Sequence, residues 1–183
     1  MKSRSYSSEG VVLGKRNYGE ADRILILYSK DRGKLSLLAK GVRRPKSRKR
    51  GHIEIFNKVS FSASLGRGID LMTEAEVIDD FSDIRDNLKK VSLAYYFCEV
   101  IGKITHEGEP NIEIYNLLVD GLEKLRTEAN LKRLRLDFVG KLLILMGYWP
   151  SSKILPNPDE KLEEVLERNI NSVRVGKRVL SAA

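Results

Sequence analysis

Cysteine is almost absent from this 183-residue sequence, and its scarcity excludes two kinds of cross-link. Cys98 is the only cysteine, so the chain forms neither an internal disulfide nor a cysteine-based zinc site. The residue lies in the apolar run LAYYFCEVI, which favours a buried side chain over a reactive thiol. We therefore predict no metal site and no cofactor.

Long apolar runs and the short motifs of common enzymes are also lacking. No apolar run reaches the roughly 18 residues of a membrane span, and the N-terminal residues MKSRSYSSEG lack the apolar core of a signal peptide. The patterns GxxxxGKS, GxxxxGKT, HExxH and GxSxG do not occur, and His52 and His106 lie far apart. These absences predict a cytoplasmic protein that makes no membrane contact and catalyses no reaction.

Acidic residues are missing from one short segment that is crowded with cations. KGVRRPKSRKR, residues 40–50, holds seven Lys and Arg in eleven residues, and its Gly, Pro and Ser indicate a loop. A Lys or Arg that neutralises a phosphate releases condensed counterions, so such a loop is typical of contact with a nucleic-acid backbone without base reading. A solvated loop that discourages aggregation is the alternative. The predicted phosphate-binding residues are Lys40, Arg43, Arg44, Lys46, Arg48, Lys49 and Arg50.

Positive charge is concentrated in the first half of the chain. Residues 1–80 contain 17 Lys and Arg against 10 Asp and Glu, a net of +7, whereas the remainder contributes +1 of the total +8. The asymmetry predicts two regions, of which the first faces an anionic partner. Tyr18, in a predicted turn, is the candidate for stacking on a base. Further candidate nucleic-acid contacts at predicted turn tips, where ordinary charged turns are the alternative, are Arg32, Lys34 and Arg67.

The first 80 residues alternate between β-rich runs and turn signals. Phe61 lies on the apolar side of one alternation and is predicted to be in the core. Five short strands joined by tight turns favour a small barrel, and the basic loop favours an OB-like barrel that binds single strands. The predicted strands are Glu9–Lys15, Arg23–Ser29, Lys34–Lys40, Ile53–Leu65 and Ile69–Val77.

Apolar residues recur every three or four positions from Phe81 onward, which is typical of helices. The predicted fold class is α+β, with a five-stranded OB-fold barrel in residues 1–80 followed by a small all-helical domain in residues 81–183. The predicted helices are one that Ser82 or Asp83 caps and that runs to about Thr105, then Ile112–Arg126, Leu131–Met146, Glu160–Asn169 and Val173–Leu180.

Three segments carry a family resemblance across roughly the first 150 residues. They are EGVVLGKRNYGEADRILILYSKDRGKLSLLAKGVRRPKSR (Glu9–Arg48), GRGIDLMTEAEVID and LLILMGYWP. The block YGEADRI followed by RGKLSLLAKGVRRPKSR is the most specific of them. On these residues the chain resembles the RecO family of bacterial DNA-repair and recombination-mediator proteins.

The resemblance implies an N-terminal OB barrel and a C-terminal helical domain. It implies binding to single- and double-stranded DNA, annealing of complementary strands, and help in loading RecA onto DNA coated by the single-stranded-DNA-binding protein, SSB. Its implied partners are RecR and, in some members, the acidic C-terminal tail of SSB, with RecA an indirect one. The implied location is the bacterial cytoplasm, in association with the nucleoid. Basic residues that are candidates to receive the SSB tail, unless they form a solvated helical face, are Lys132, Arg133, Arg135 and Lys141.

Two features depart from the family pattern. Many members carry a four-cysteine zinc module soon after the segment that matches GYWP, whereas here the following residues, SSKILPNPDEKLEEVLERN, contain no cysteine. The chain is also short for the family. We therefore expect a short form that lacks the zinc module.

The predicted function is that of a non-enzymatic mediator of DNA repair and homologous recombination. One alternative is an RNA-binding OB-fold protein, because the charge pattern does not separate DNA from RNA. A second alternative is a protein–protein adaptor that holds SSB or RecR. A third alternative, a metal-dependent nuclease, would use the acidic residues Glu74, Glu76, Asp79 and Asp80.

Overall fold

A computed structural model describes residues 4–45, 47 and 51–166, in which a closed five-stranded barrel is followed by four α-helices. The predicted α+β fold is therefore confirmed. The strands are β1 (Ser5–Tyr18), β2 (Asp22–Ser29), β3 (Gly33–Ala39), β4 (Lys58–Ser64) and β5 (Asp70–Asp79). The helices are a 3-10 turn (Ser82–Ile84), then α1 (Leu88–Ile104), α2 (Ile112–Thr127), α3 (Leu131–Leu145) and α4 (Pro158–Leu166).

The barrel closes because its first strand is long enough to pair on both sides. The strand order is β1-β2-β3-β5-β4, and β1 pairs with β4 along its first half and with β2 along its second half. A register shift between Val12 and Gly14 marks a bulge, and bulges bend a strand and increase its twist. Among the pairs of described strands, only β3 and β5 run parallel to each other. This closed arrangement is that of an OB fold.

The barrel interior is filled by alternate apolar side chains of the strands and by two residues from the connection between β3 and β4. Phe61 is 2% exposed in this core, as predicted, and Val42 and Ile53 are fully buried in it. The predicted strand Ile53–Leu65 was wrong at its start. Phe56 adopts a positive φ of 59°, which interrupts an extended strand, and β4 begins only at Lys58.

The helical part differs from the prediction mainly where it begins. The predicted cap at Ser82 or Asp83 was wrong, because those residues form a single 3-10 turn. Helix α1 begins at Leu88, where the Asn87 side chain accepts hydrogen bonds from two backbone amides of the first turn. Helices α2 and α3 match their predictions within one residue. Helix α4 overlaps the predicted Glu160–Asn169, whose last residues, with all of Val173–Leu180, lie outside the described residues.

One hydrophobic core is shared by the barrel and the helices. Val11, Leu13, Tyr28 and Phe56 from the barrel region pack in the same cluster as the buried faces of all four α-helices of the described chain. Cys98 also lies in this cluster at 1% exposure, as predicted, and its burial raises the pKa of the thiol to about 12. The division into domains at residues 80 and 81 stays a prediction, because packing continues across it.

Arg126 on α2 joins the end of the barrel to the helices. Its guanidinium pairs with Asp79 at the end of β5 at 2.7 Å, with Asp83 at 2.8 Å and with Glu123. It also lies 4.8 Å from the ring centroid of Phe81, a buried residue with a φ of 50°. The hydrogen bonds that Arg126 donates to these carboxylates, that to Asp79 first, raise the pKa of Arg126, so the cation is held at this junction.

Candidate nucleic-acid interface

The basic loop begins at the end of the barrel that also carries the turn between β1 and β2. Arg23 at the start of β2 pairs with Ala39 at the end of β3, so both connections leave the barrel at the same end. The Gly41 amide donates a hydrogen bond of 2.7 Å to Asp22 Oδ1, and the Arg43 amide donates one of 2.9 Å to the Ala21 carbonyl. The first part of the loop is therefore fixed onto the turn rather than free in solvent.

The described part of the basic loop alternates between an anchor and exposed cations. Val42 is fully buried in the barrel core, whereas Lys40, Arg43 and Arg44 are exposed. Gly41 has a φ of +65°, which lets the chain turn between Lys40 and the anchor. The loop thus presents cations to solvent from a fixed backbone. The remaining predicted phosphate-binding residues lie outside the described residues and are Lys46, Arg48, Lys49 and Arg50.

Arg16 is a further cation of this surface, and it was not among the predicted nucleic-acid-binding residues. It is exposed near the end of β1, two residues before Tyr18, so the two side chains leave the same face of the strand. Tyr18 is 55% exposed, but its predicted position in the turn was wrong, because it is the last residue of β1 and pairs with Asp22. The alternation of LGKRNY over β1 was the signal for Arg16, since every second residue of a strand points outward.

The neighbouring cations on the other face of these strands are already paired. Lys15 forms an ion pair with Glu54, and Arg23 lies 4.0 Å from the same carboxylate and donates to Asn17. Glu54 therefore offsets the charge of Lys15 and Arg23 near the barrel mouth. Among the described residues at this end of the barrel, the cations without an acidic partner are therefore those of the basic loop and Arg16.

Lys34 does not lie on this surface. Its ammonium donates hydrogen bonds to the carbonyls of Gly102, at 2.9 Å, and Thr105, at the C-terminal end of α1. Burial lowers the pKa of Lys34, and the nearby Glu107 carboxylate acts in the opposite direction. The side chain neutralises the negative end of a helix dipole and connects barrel to helix, so its contribution is structural.

Arg32 lies at the opposite end of the β2–β3 hairpin, roughly 20 Å from the basic loop along the strands. Its guanidinium stacks on Tyr6 at 3.7 Å from the ring centroid, and the Tyr6 hydroxyl donates to Asp70 at 2.8 Å. Burial, together with that hydrogen bond, raises the pKa of Tyr6 to about 12. Arg67 is exposed in the connection between β4 and β5, just before Asp70. Arg32 thus belongs to a different part of the barrel from the basic loop, whereas Asp70, which follows Arg67, pairs with Leu37 near the end of β3.

The outer face of β1, β4 and β5 is acidic, in contrast to the basic loop. Ser62 pairs with Glu74 across the sheet and Ser60 pairs with Glu76, and both glutamates are exposed. Asp79 is held by Arg126, and within residues 4–45, 47 and 51–166 no group of three or more His, Cys, Asp or Glu side chains is arranged to hold a metal ion. The acidic face therefore gives the nuclease alternative no metal site among these residues.

The four predicted partner-binding residues divide between the surface and the interior. Arg135 is only 6% exposed and forms a two-pronged ion pair with Asp159 of α4, at 2.7 and 2.8 Å. Lys132, Arg133 and Lys141 are exposed. Arg133 and Lys141 line a cavity of about 210 Å³ between α2 and α3, whose wall includes both apolar side chains, such as Leu117 and Phe138, and the carboxylates of Asp120, Glu128 and Asp137.

The described chain is an OB-fold protein, in which a closed barrel carries a basic loop at one end and packs against a helical region. The family model "Recombination protein O N terminal" matches residues 1–81, and the model "Recombination protein O C terminal" matches residues 85–153. Together they match well over half of the chain, and it belongs to the RecO family. None of the described helices is long and apolar enough to cross a membrane.

Curated relatives agree with the family models. The DNA repair protein RecO of Pelotomaculum thermopropionicum is 36% identical over 145 residues, which are 79% of this chain and 56% of the relative. That of Rubrobacter xylanophilus is 38% identical over 146 residues, 79% of this chain and 58% of the relative. That of Dehalococcoides mccartyi strain 195 is 33% identical over 161 residues, which are 88% of this chain and 64% of the relative. The chain thus spans about three fifths of the length of these relatives.

Proposed function

We propose that this protein is a mediator of DNA repair and homologous recombination that binds single- and double-stranded DNA and anneals complementary strands. The observation that carries the proposal is the set of exposed cations Lys40, Arg43 and Arg44 on a loop fixed to the β1–β2 turn of an OB barrel. Curated relatives that are 33% to 38% identical to it over the aligned residues are named DNA repair proteins. The protein acts in the bacterial cytoplasm at the nucleoid.

Annealing follows from charge neutralisation and needs no catalytic group. Two complementary strands repel each other through their phosphates, and a cationic surface that holds both lowers that repulsion. Because the loop contacts the backbone and not base edges, any complementary pair of strands is a substrate. No nucleotide is hydrolysed and no cofactor is needed in this mechanism.

The test replaces Lys40, Arg43 and Arg44 together by Gln. We expect weaker binding of an oligothymidylate and slower annealing, because each lost phosphate contact removes about 0.7 from the slope of log affinity against log salt for a single strand. The measurement is fluorescence anisotropy across a salt series, with annealing followed in parallel.

The matched control replaces Lys132, Arg133 and Lys141 by Gln, which removes the same charge from the helical part. This variant should bind and anneal DNA with the salt slope of the wild type. An equal loss in both variants would mean that net charge, and not the basic loop, governs DNA binding. An unchanged loop variant would remove the loop from the proposal.

The helical surface supports a second component of the proposal, in which the protein assists RecA loading with RecR on SSB-coated DNA. Arg133 and Lys141 line a cavity with apolar side chains on its wall, and in the proposal they receive the acidic groups of a peptide such as the SSB tail. The same wall carries the carboxylates of Asp120, Glu128 and Asp137, which oppose an acidic ligand. Arg133 also faces Asp137 at 3.8 Å, which reduces its net attraction. Binding of a labelled SSB-tail peptide should fall in the helical variant and persist in the loop variant. The reverse result would contradict this component.

Two alternatives make different predictions for the same surfaces. An RNA-binding protein would prefer an RNA strand over a DNA strand of matched sequence in direct competition. An adaptor would capture RecR and SSB equally well after the loop cations are replaced, and it would not anneal strands. We expect no RNA preference and loss of annealing in the loop variant.

A further inference from the structure

We propose that Tyr18 stacks on an unpaired base and thereby makes this end of the barrel favour single strands over duplex. The proposal rests on the proposed function, since it needs the basic loop to hold the backbone. It adds a second kind of contact, because the loop cations recognise phosphate and cannot distinguish a strand with free bases from one without them.

The tyrosine is exposed among cations and away from the hydrophobic core. Tyr18 is 55% exposed at the last position of β1, and Arg16 lies on the same strand face two residues earlier. On the other side of the turn, Arg43 donates to the Gly19 carbonyl at 3.2 Å. An aromatic ring between phosphate-binding groups is the arrangement by which single strands are held, with the backbone on the cations and a base on the ring.

The turn that carries the ring is held in place before any ligand binds. Asp22, across the register from Tyr18, accepts the Gly41 amide, and the Arg43 amide donates to Ala21. Gly19 itself has a φ of +56° and no atom within 4 Å of its would-be Cβ, so the tip is open. A presented ring on a fixed turn loses little conformational freedom on stacking, which favours binding.

The test compares three ligands of equal length with the full chain: an oligothymidylate, an abasic strand of the same backbone, and a duplex. Tyr18→Ala should weaken binding of the oligothymidylate about 5- to 150-fold, the value of one stacked base. Binding of the abasic strand and of the duplex should not change, because the first offers no base and the second offers only paired and stacked ones. The salt slope should also stay constant, since no phosphate contact is lost.

Two further variants separate stacking from simple apolar contact. Tyr18→Phe keeps the ring face and should bind the oligothymidylate like the wild type, whereas Tyr18→Leu keeps apolar bulk without the π-face and should resemble Tyr18→Ala. Tyr148→Ala is the matched control, because Tyr148 is 42% exposed and follows α3, away from the barrel end. It should leave all three affinities unchanged.

The outcomes distinguish this proposal from the proposed function. If Tyr18→Ala weakens the base-bearing and abasic strands equally, or weakens neither, the stacking role is overturned while the loop assignment stands. The same follows if the wild type binds both strands equally. If the wild type binds none of the three ligands, the proposed function fails, and the stacking role fails with it.

Discussion

At the scale of single residues, Gly33 and Lys34 connect the barrel to the helices, which their predicted position in a turn did not indicate. The sequence RGK predicts a charged turn tip, yet the Lys34 ammonium donates a hydrogen bond to a carbonyl at the end of α1, and the Lys34 backbone carbonyl accepts one of 2.9 Å from the Gly108 amide. Gly33 has a φ of +65°, and a Cβ on it would lie 2.1 Å from the Glu109 carbonyl oxygen. A close approach between the barrel and the α1–α2 connection therefore requires glycine at this position.

Gly33→Ala should destabilise the protein more than Gly108→Ala. Both glycines have positive φ, so both alanines incur the left-handed backbone cost of about 1–2 kcal/mol. A Cβ on Gly108 meets no atom within 4 Å, whereas one on Gly33 must displace backbone. Urea unfolding of the two variants measures the difference. Equal losses of unfolding free energy in the two variants would show that the backbone at Glu109 can move away from the added Cβ at no cost.

At the scale of elements, the connection from β5 to α1 depends on a residue from α2. Asp79 precedes the 3-10 turn and Asp83 lies within it, and both carboxylates pair with Arg126, whose side chain is only 29% exposed. The sequence shows the acidic residues around the turn but not the distant arginine that neutralises them. The position of α1 after the turn therefore depends on α2.

Arg126→Met should lower the free energy of unfolding by about 1–3 kcal/mol, because it leaves neighbouring carboxylates without their cation. The loss should shrink at high salt, which screens the remaining repulsion. Lys124→Met is the matched control on the same helix, since its pair with Asp120 is a surface pair worth well under about 1 kcal/mol. A loss in Arg126→Met no larger than that of the control would contradict the junction role.

At the scale of the whole molecule, the shared core makes barrel and helices thermodynamically dependent on each other. Val11, Leu13 and Tyr28 bury their outward-facing side chains under α1 and its neighbours and not inside the barrel. Separating the barrel from the helices would expose this apolar surface to water, at a cost of roughly 25 cal/mol per Å².

Unfolding should therefore be a single cooperative transition. Trp149, the only tryptophan, packs at the edge of the shared core, so its fluorescence reports on the helices, whereas far-UV circular dichroism reports on the whole chain. The two urea transitions should coincide. Two separated transitions would mean that the predicted domains at residues 1–80 and 81–183 fold independently.

The elements that were predictable are those whose signal is local. Apolar spacing located α2 and α3 within one residue, and alternation placed Phe61 in the core. The errors occurred where a distant contact decides the backbone. Phe56 leaves the extended conformation where its amide donates to the Val12 carbonyl on β1. Helix α1 starts late because Arg126 of α2 pairs with Asp79 and Asp83 at the 3-10 turn, after which Asn87 caps the helix.

The candidate interface also has one part that the sequence determined and another that only the tertiary structure decided. Composition alone determined that residues 40–50 are strongly cationic, because they hold seven Lys and Arg and no acid, and such charges repel one another and require solvent or a polyanion. Only the tertiary structure decided that Arg16 and Tyr18 lie beside this loop, that Lys34 caps a helix and that Arg135 is buried against Asp159. A charge is a property of one residue, whereas its partner is set by the closure of a barrel and the packing of helices that bring distant segments together.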